Sequence, residues 1–248
     1  MTRRKTAMKK HDRVYASVDL GAIADNFKNI GCNLTEGTKM IAIVKADAYG
    51  HGAVPVSRAI EHEERLWGFA VSTTEEAEEL LDGGIAKPVL ILGHAFPEDY
   101  ETLVERNIRP TVSSLAAAAA LSHTAALAGR LLPVHLAIDT GMSRIGLRGP
   151  RESLAEIKAI SGLPNLRLEG IFTHFARADE EELEPTVRQL ELFHSFLRLV
   201  EEAGIKIPMR HCNNSAGALW NRQGDMEAVR AAIAAKKASG EYPLHLWS

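Results

Sequence analysis

The sequence has 248 residues, of which 46% are hydrophobic and 25% are charged, the composition of a globular protein that can bury a substantial core. A formal net charge of -3, with Lys and Arg scattered along the chain, excludes the basic surface of a nucleic-acid-binding protein. The two cysteines, Cys32 and Cys212, lie too far apart for a disulfide framework or a metal-ligand motif, so we predict no metal and a reducing cytoplasm.

The N-terminal segment is basic over residues 1–10 but continues with polar residues rather than an apolar stretch, so we predict no secretory signal. No later run approaches the roughly 20 apolar residues of a membrane helix, and we therefore expect no membrane association. Residues 14–20 alternate in polarity, which predicts an extra strand outside the main sheet, with a helix beginning near Asp19.

Short apolar runs rich in β-branched residues then recur between segments of helical pattern. Helix starts are indicated by Thr73 before two glutamates, by Pro97, and by Ser114 before an Ala-rich stretch. The predicted strands are 40–46, 67–72, 88–93, 109–113, 133–139, 168–175, 209–214 and 228–233.

A strand followed by a helix, repeated eight times, predicts parallel pairing. Eight such units in about 200 residues close most naturally into a (β/α)8 TIM barrel, although the pattern alone leaves a doubly wound open sheet as an alternative. No linker rich in Pro, Gly or Ser interrupts the chain, so we predict a single domain over residues 1–248.

In a TIM barrel the active site lies where the strands end, so polar residues at these positions are candidates for function. Lys45 closes the first predicted strand, where partial desolvation would make its amine available for Schiff-base chemistry. The alternative is a lysine that reaches solvent with its charged end.

Three further polar residues follow later strands. Arg144 could hold a carboxylate or a phenolic oxygen by directional hydrogen bonds, or it could form a surface ion pair with Asp139. His174 places an imidazole at the mouth, where a structural role is the alternative. Arg230 lies near the end of the eighth strand, and so many cationic groups in one interior need an anionic or aromatic ligand.

The seventh strand leads into a helix start at Asn214 and Ser215, with small residues behind the hydroxyl. Free backbone N–H groups and the positive end of the helix dipole make such a start a phosphate site, and a simple Ser N-cap is the alternative. A strand-end lysine, a phosphate site, arginines and a histidine on one rim are together the parts that a pyridoxal 5′-phosphate (PLP) site requires.

Five segments resemble the N-terminal PLP-binding domain of alanine racemases, and the similarity covers residues 12–233. The first, VKADAYGHG at residues 44–52, is similar to the PLP-lysine signature of that family. The others follow in the family's order: DTGMSRIG at 139–146, GIFTHFA at 170–176, HCNNSA at 211–216, and the pair at 229–230.

The resemblance implies that Lys45 forms the Schiff base with PLP and carries the proton on one face of the substrate Cα. It implies further that Tyr49 and Ser215 hold the phosphate. The expected substrate is alanine, interconverted between its L and D forms, and the family is homodimeric.

The same resemblance places Arg144 at the phenolic side of PLP, with His174 supporting Arg230 and Arg230 facing the pyridine nitrogen. An arginine does not readily give up a proton to the ring, which makes PLP a weaker electron sink than a carboxylate partner would. The expected catalytic residues are Lys45, Arg144, His174 and Arg230, and the expected cofactor-binding residues are Lys45, Tyr49, His174, Asn214, Ser215, Arg230 and Ile233.

The chain departs from the family in three places. Ala137 stands where members commonly carry a lysine that steadies the arginine, and Ala232 stands where they have a glycine close to the phosphate. Residues 234–248 do not match, and the Ala/Lys stretch at 231–238 predicts a closing helix, which indicates a truncated or engineered barrel.

In the family the second acid/base group is a tyrosine on a C-terminal β domain, presented across the dimer interface. Because residues 234–248 do not resemble that domain, we expect a weakened or lost dimer and racemisation slower by roughly 10²–10⁴-fold, with Tyr242 unable to substitute for that tyrosine. The alternatives are a PLP-binding module without turnover and a Schiff-base lyase or aldolase that uses Lys45.

Overall fold

The computed structural model describes residues 17–220 and 224–232, in which eight parallel strands form one sheet. Their order, β7-β6-β5-β4-β3-β2-β1-β8, sets nearly every strand beside its neighbour in the chain, which confirms the barrel and contradicts the doubly wound alternative. A hydrogen bond from Arg230 N to Asn213 O (3.0 Å) joins the two ends of the sheet. The strands are β1 (Lys39–Ile43), β2 (Leu66–Val71), β3 (Val89–His94), β4 (Arg109–Val112), β5 (Leu132–Ala137), β6 (Leu166–Phe172), β7 (Met209–His211) and β8 (Ala228–Ala232).

Helices follow the strands and cover the outside of the barrel. Three of the predicted helix starts are confirmed by caps, since the side chains of Asp19, Thr73 and Ser114 each accept a hydrogen bond from the first turn. The helices are α1 (Leu20–Cys32), α2 (Lys45–Gly50), α3 (Ala53–Ile60), α4 (Thr74–Asp82), a 3-10 turn at Pro97–Asp99, α5 (Tyr100–Glu105), α6 (Leu115–Leu127), α7 (Pro150–Ser161), α8 (Glu184–Glu202) and α9 (Ser215–Trp220). Within the described residues no helix is both long and apolar enough to cross a bilayer.

Several strands end earlier than the sequence predicts. β1 ends at Ile43, β6 at Phe172 and β7 at His211, each three residues before the predicted end. The apolar pattern continues past these ends because parts of the loops at the mouth are themselves buried, as Phe175 shows with 1% exposure. A hydrophobic run in the sequence indicates that its residues are buried, and here the buried residues continue beyond the ends of the strands.

Both ends of the described chain also differ from expectation. Leu20 begins α1 rather than ending a strand, and residues 17–19 form none; residues 14–16 lie outside the described residues. Ala231 and Ala232 belong to β8, so the closing helix expected over 231–238 is wrong at its start, and its remainder lies outside the described residues.

The core has two layers because every strand is buried on both faces. In β1, Met40 and Ala42 pack outward against the helices, whereas Ile41 and Ile43 point into the barrel. This alternation is why β1 is continuously apolar, and it fixes which side chains of each strand can reach the interior.

Candidate active site at the barrel mouth

Seven of the eight predicted site residues fall within the described chain, at or after the carboxyl ends of barrel strands. The carboxyl ends of parallel strands meet at one face of the barrel, so these residues share its mouth. They are Lys45 and Tyr49 after β1, Arg144 after β5, His174 after β6, Asn214 and Ser215 after β7, and Arg230 in β8. The eighth, Ile233, lies outside the described residues.

Lys45 begins a single turn of left-handed helix rather than closing a strand. The φ angles of residues 46–49 run from 50° to 56°, a region in which the Cβ of a non-glycine residue crowds its own backbone. Because β1 stops at Ile43 and the chain then leaves the sheet, Lys45 is exposed. The partial desolvation expected for this lysine is therefore wrong.

The left-handed turn is held by carboxylates on both sides. Glu76 accepts hydrogen bonds from the backbone N–H of Ala46 (2.6 Å) and from that of Ser72 (2.7 Å), and so ties the turn to the end of β2. Asp47 accepts from the N–H of Ala53 (2.7 Å) at the start of α3. These charge-assisted bonds offset part of the cost of the unusual backbone.

Tyr49 ends the turn and packs against the apolar cluster that fills the barrel, as Ala232 at the end of β8 also does. Burial, and then the nearby Glu76 carboxylate, raises the pKa of the Tyr49 phenol above its usual value. The phenol therefore keeps its proton at neutral pH and can donate a hydrogen bond to an anion at the mouth.

Arg230 is a buried cation, with 2% of its surface exposed. It donates to the carbonyl oxygens of Thr173 (2.6 Å) and Cys212 (3.0 Å) and to His211 Nδ1 (2.6 Å), and it lies over the ring of Phe172. Burial lowers its pKa to about 10, so it remains charged at neutral pH. No carboxylate in the described part of the chain forms an ion pair with it.

His174 lies half-buried among three cations. Arg230 Nη2 approaches its Nδ1 to 3.4 Å. Burial, followed by the charges of Arg230, Arg144 and Lys45, lowers the pKa of His174 to about 3. The charges of the lysine and of both arginines that the sequence singled out therefore all act on this imidazole.

Arg144 is exposed on the loop between β5 and α7 and has no hydrogen-bond partner among the described residues. The predicted alternative, an ion pair with Asp139, is wrong because Asp139 pairs with Arg148 at 2.7 Å. Asp139 also accepts from the backbone N–H of Ser143 (2.9 Å), which shapes the loop that carries Arg144. The guanidinium of Arg144 is thus available for a ligand.

Asn214, rather than Ser215, caps α9, because its side-chain oxygen accepts from the N–H of Gly217 at 3.0 Å. Ser215 Oγ instead accepts from the backbone N–H of Ala232 at 2.9 Å, which connects the loop after β7 to the end of β8. The hydroxyl proton of Ser215 has no acceptor among the described residues, so it can be donated to a ligand.

Sequence reasoning missed two polar residues deeper in the barrel, His135 on β5 and His211 on β7, which are both fully buried. A hydrogen bond connects the two rings, with His135 Nδ1 and His211 Nε2 2.9 Å apart. The only signal in the sequence was a histidine at an inward-facing position of an apolar strand, and that signal does not reveal its partner.

A third missed residue is Gln189 on α8, which holds the loop after β6. Its amide donates to Thr140 Oγ1 (3.2 Å) and to the carbonyl of His174 (3.1 Å), while its oxygen accepts from the N–H of Ala176 (2.9 Å). An inward polar residue on an amphipathic helix was the available signal.

The fold and these side chains together define a (β/α)8 barrel whose mouth carries a lysine, a phenol, a serine and two arginines around a neutral histidine. The chain belongs to the family described as alanine racemase, N-terminal domain, whose model matches residues 18–237.

Similar known proteins support this family assignment. An alanine racemase of Methanococcus maripaludis is 40% identical over 220 residues, which are 89% of this chain and 59% of that protein. One of Desulfovibrio desulfuricans is 40% identical over 236 residues, 93% of this chain and 62% of that protein. The solved alanine racemase of Clostridium difficile 630, in complex with cycloserine, superposes with a TM-score of 0.85 at 37% identity, covering 90% of this chain and 62% of that one.

This chain therefore spans about three fifths of the length of the curated relatives it matches. Alanine racemases are PLP-dependent isomerases.

Proposed function

We propose that this chain is the PLP-binding barrel of an alanine racemase-type enzyme, with Lys45 as the residue that forms the Schiff base. The observation that carries the proposal is the buried charge of Arg230, which has no carboxylate partner among the described residues and acts on the same imidazole as Lys45. Burying a cation costs several kcal/mol unless an anionic or polar partner offsets it. Within the described residues its partners are carbonyls, imidazoles and the ring of Phe172, all of them uncharged.

The donors at the mouth fit PLP in number and in kind. A phosphate needs several hydrogen-bond donors, and Tyr49 and Ser215 each present a hydroxyl proton there. Arg144 is exposed and suits the phenolic oxygen, and the buried Arg230 suits the pyridine nitrogen. When bound, PLP supplies an electron sink that stabilises negative charge at the substrate Cα.

Each residue of the chain has a distinct task in this proposal. Lys45 Nζ, at the start of the left-handed turn, takes a proton from one face of the substrate Cα or returns it there. Arg230 keeps its own proton because its pKa of about 10 lies well above neutrality, so it donates a hydrogen bond without transferring a proton. His174, neutral because of its low pKa, lies beside Arg230 and adds no further charge to the mouth.

We propose alanine as the substrate because the relatives that cover most of this chain are named alanine racemases. A second copy of the chain as partner rests on the family alone. The cytoplasmic location, the single-domain boundaries and the absence of nucleic-acid partners stay predictions from the sequence.

The first test uses Lys45→Ala. Purified wild-type protein mixed with PLP should absorb in the visible, because a Schiff base forms, and Lys45→Ala should lose this band entirely. Borohydride reduction followed by peptide mapping should place the pyridoxyl group on Lys45. Lys39, whose amine binds the carbonyl of Glu64, serves as the control in Lys39→Ala. A label on any other lysine would contradict the assignment.

The second test uses Ser215→Ala. Loss of one charge-assisted hydrogen bond should weaken PLP binding by about 1–2 kcal/mol, on the order of tenfold in the dissociation constant, as measured by titration of the visible band. Ser195, whose hydroxyl donates only to the carbonyl of Glu191 on the exposed side of α8, provides the matched control in Ser195→Ala. An unchanged dissociation constant for Ser215→Ala would contradict the placement of the phosphate at this helix start.

A further inference from the structure

A chain of buried side chains runs through the barrel from the mouth toward the opposite end. Arg230 Nη1 lies 2.6 Å from His211 Nδ1, and His211 Nε2 lies 2.9 Å from His135 Nδ1. His135 Nε2 in turn faces a carboxylate oxygen of Glu169 on β6 at 3.6 Å, which is beyond hydrogen-bond distance, and it has no hydrogen-bond partner among the described residues, so this last step is electrostatic. Both histidines are fully buried.

The chemistry of Arg230 fixes the tautomer of each histidine in this chain. A guanidinium only donates, so His211 Nδ1 must accept and the single proton of neutral His211 must sit on Nε2. His211 therefore donates to His135 Nδ1, and the proton of His135 is left on Nε2, facing Glu169. Every donor points the same way, from the mouth to the carboxylate.

Both imidazoles are neutral, as this direction requires. Burial lowers the pKa of His211 well below its usual value, with the charge of Arg230 acting in the same sense. Burial also lowers the pKa of His135, although Glu169 opposes it. A proton added to His211 Nδ1 would face the donor Arg230, and a proton added to His135 Nδ1 would face the donor His211. Either proton would therefore break one of these hydrogen bonds.

Glu169 is fixed where the chain ends. Arg109 Nε lies 3.2 Å from the carboxylate oxygen that faces His135, and Arg167 binds the other oxygen at 2.9 Å. Burial alone would raise the pKa of Glu169, but the neighbouring N–H of His135 and the charge of Arg109 lower it below its usual value, so the group is ionised at neutral pH. Its side chain is only 14% exposed, which leaves its negative charge effective inside the barrel.

The walls of the barrel are shaped for this chain. A Cβ at Gly170, the residue of β6 that pairs with His135, would lie 2.4 Å from His135 Nδ1, so only glycine leaves room for the ring. The ring of Phe172 stacks on His211 with centroids 4.9 Å apart, and Trp67 contacts His135 from β2. Such fitted surroundings hold each imidazole in one orientation.

We propose that Glu169 and His135 are positioning residues for Arg230, acting through His211 to hold its guanidinium in place and to favour its charge at the ligand-binding mouth. Each link polarises the next, so the carboxylate strengthens the acceptor that Arg230 uses. The effect on PLP rests on the proposed function, whereas the tautomers and the order of Arg230 do not.

The first experiment therefore uses the protein without PLP. NMR spectra of chain labelled with 15N in histidine and arginine should show His135 and His211 protonated on Nε2, and guanidinium signals of Arg230 resolved from those of exposed arginines. A proton on Nδ1 of either histidine would overturn the proposal.

Variants then separate positioning from general stability. His135→Leu removes the acceptor for His211, and the resolved Arg230 signals should merge with the exchange-averaged ones. His135→Asn carries an amide oxygen at the same distance along the side chain as Nδ1, so it should restore them. Arg230 signals that survive unchanged in a folded His135→Leu protein would overturn the proposal.

Glu169→Gln removes the charge at nearly constant volume, and Arg167→Gln is its matched control, since it breaks an ion pair of Glu169 without touching the histidines. We expect the PLP dissociation constant to rise about tenfold in Glu169→Gln, and to change less than about twofold in Arg167→Gln. Equal changes of the dissociation constant in both variants would show that Glu169 has only a structural role. Wild-type chain that binds no PLP would refute the proposed function alone and leave the NMR result to decide the positioning.

Discussion

The barrel interior differs between the side formed by β1, β2 and β3 and the side formed by β5, β7 and β8. On the first side Ile41, Ala70 and Leu90 face inward and form an apolar cluster. On the second side three inward positions hold His135, His211 and Arg230, joined by hydrogen bonds, beside the apolar Met209 and Ala228.

The two sides contribute different things to the protein. Apolar burial stabilises the fold in proportion to area and has no preferred direction. The hydrogen-bonded side gains little net stability from each bond, but it places every donor at a defined angle. A barrel with a site at one end needs both, because the first side keeps it folded and the second orients Arg230.

The largest effect should come from Arg230→Met, which tests whether the polar side depends on one residue. Four acceptors, namely three backbone carbonyls and His211 Nδ1, lose a donor. We expect the free energy of unfolding to fall by about 4 kcal/mol and PLP binding to be lost. Urea denaturation measures the first and the visible band the second. A loss below about 1 kcal/mol would show that the acceptors find other partners.

Leu90→Ala is the corresponding change on the apolar side. Leu90 is fully buried, so truncation should lower the free energy of unfolding by about 3 kcal/mol, while the PLP dissociation constant of the folded protein stays within about twofold. This combination, compared with that of Arg230→Met in the same assays, would separate the two sides. If PLP affinity fell together with stability in Leu90→Ala, the division between them would be wrong.

The smallest effect concerns pH. The pKa of His174 is about 3 in the folded protein, below the ordinary value of 6.5, so the unfolded chain binds this proton first as pH falls. The free energy of unfolding of the wild type should therefore fall as the pH is lowered below about 6.5. In His174→Gln the slope of this free energy against pH should be smaller by roughly 1.4 kcal/mol per pH unit between about pH 6 and pH 4. Urea denaturation across this range gives both slopes, with the exposed His123→Gln as control. Parallel curves for wild type and His174→Gln would contradict the low pKa.

The apolar side and the barrel itself could be predicted from the sequence, because the spacing of apolar residues is a local property of the chain. The eight strands were found near their observed positions, and the caps Asp19, Thr73 and Ser114 follow from side-chain chemistry alone. Strand ends were predicted too late, since apolar loops at the mouth extend the same pattern.

The polar side could not be predicted in the same way. His135 and Glu169 lie 34 positions apart in the chain, and only the register that sets His135 against Gly170 brings them together. Likewise, nothing near Lys45 reveals that Glu76 will bind the backbone of its turn. Such contacts depend on which strands become neighbours, which the pattern of one strand does not encode.

The left-handed turn after β1 makes the placement of Lys45 depend on the completion of folding. Four successive residues in that conformation cost roughly 4–8 kcal/mol relative to right-handed backbone, and the bonds to Glu76 and Asp47 that offset this cost come from the assembled barrel. A short peptide that copies residues 44–52 would lose that support and relax to ordinary backbone. The geometry of Lys45 is thus a property of the finished fold.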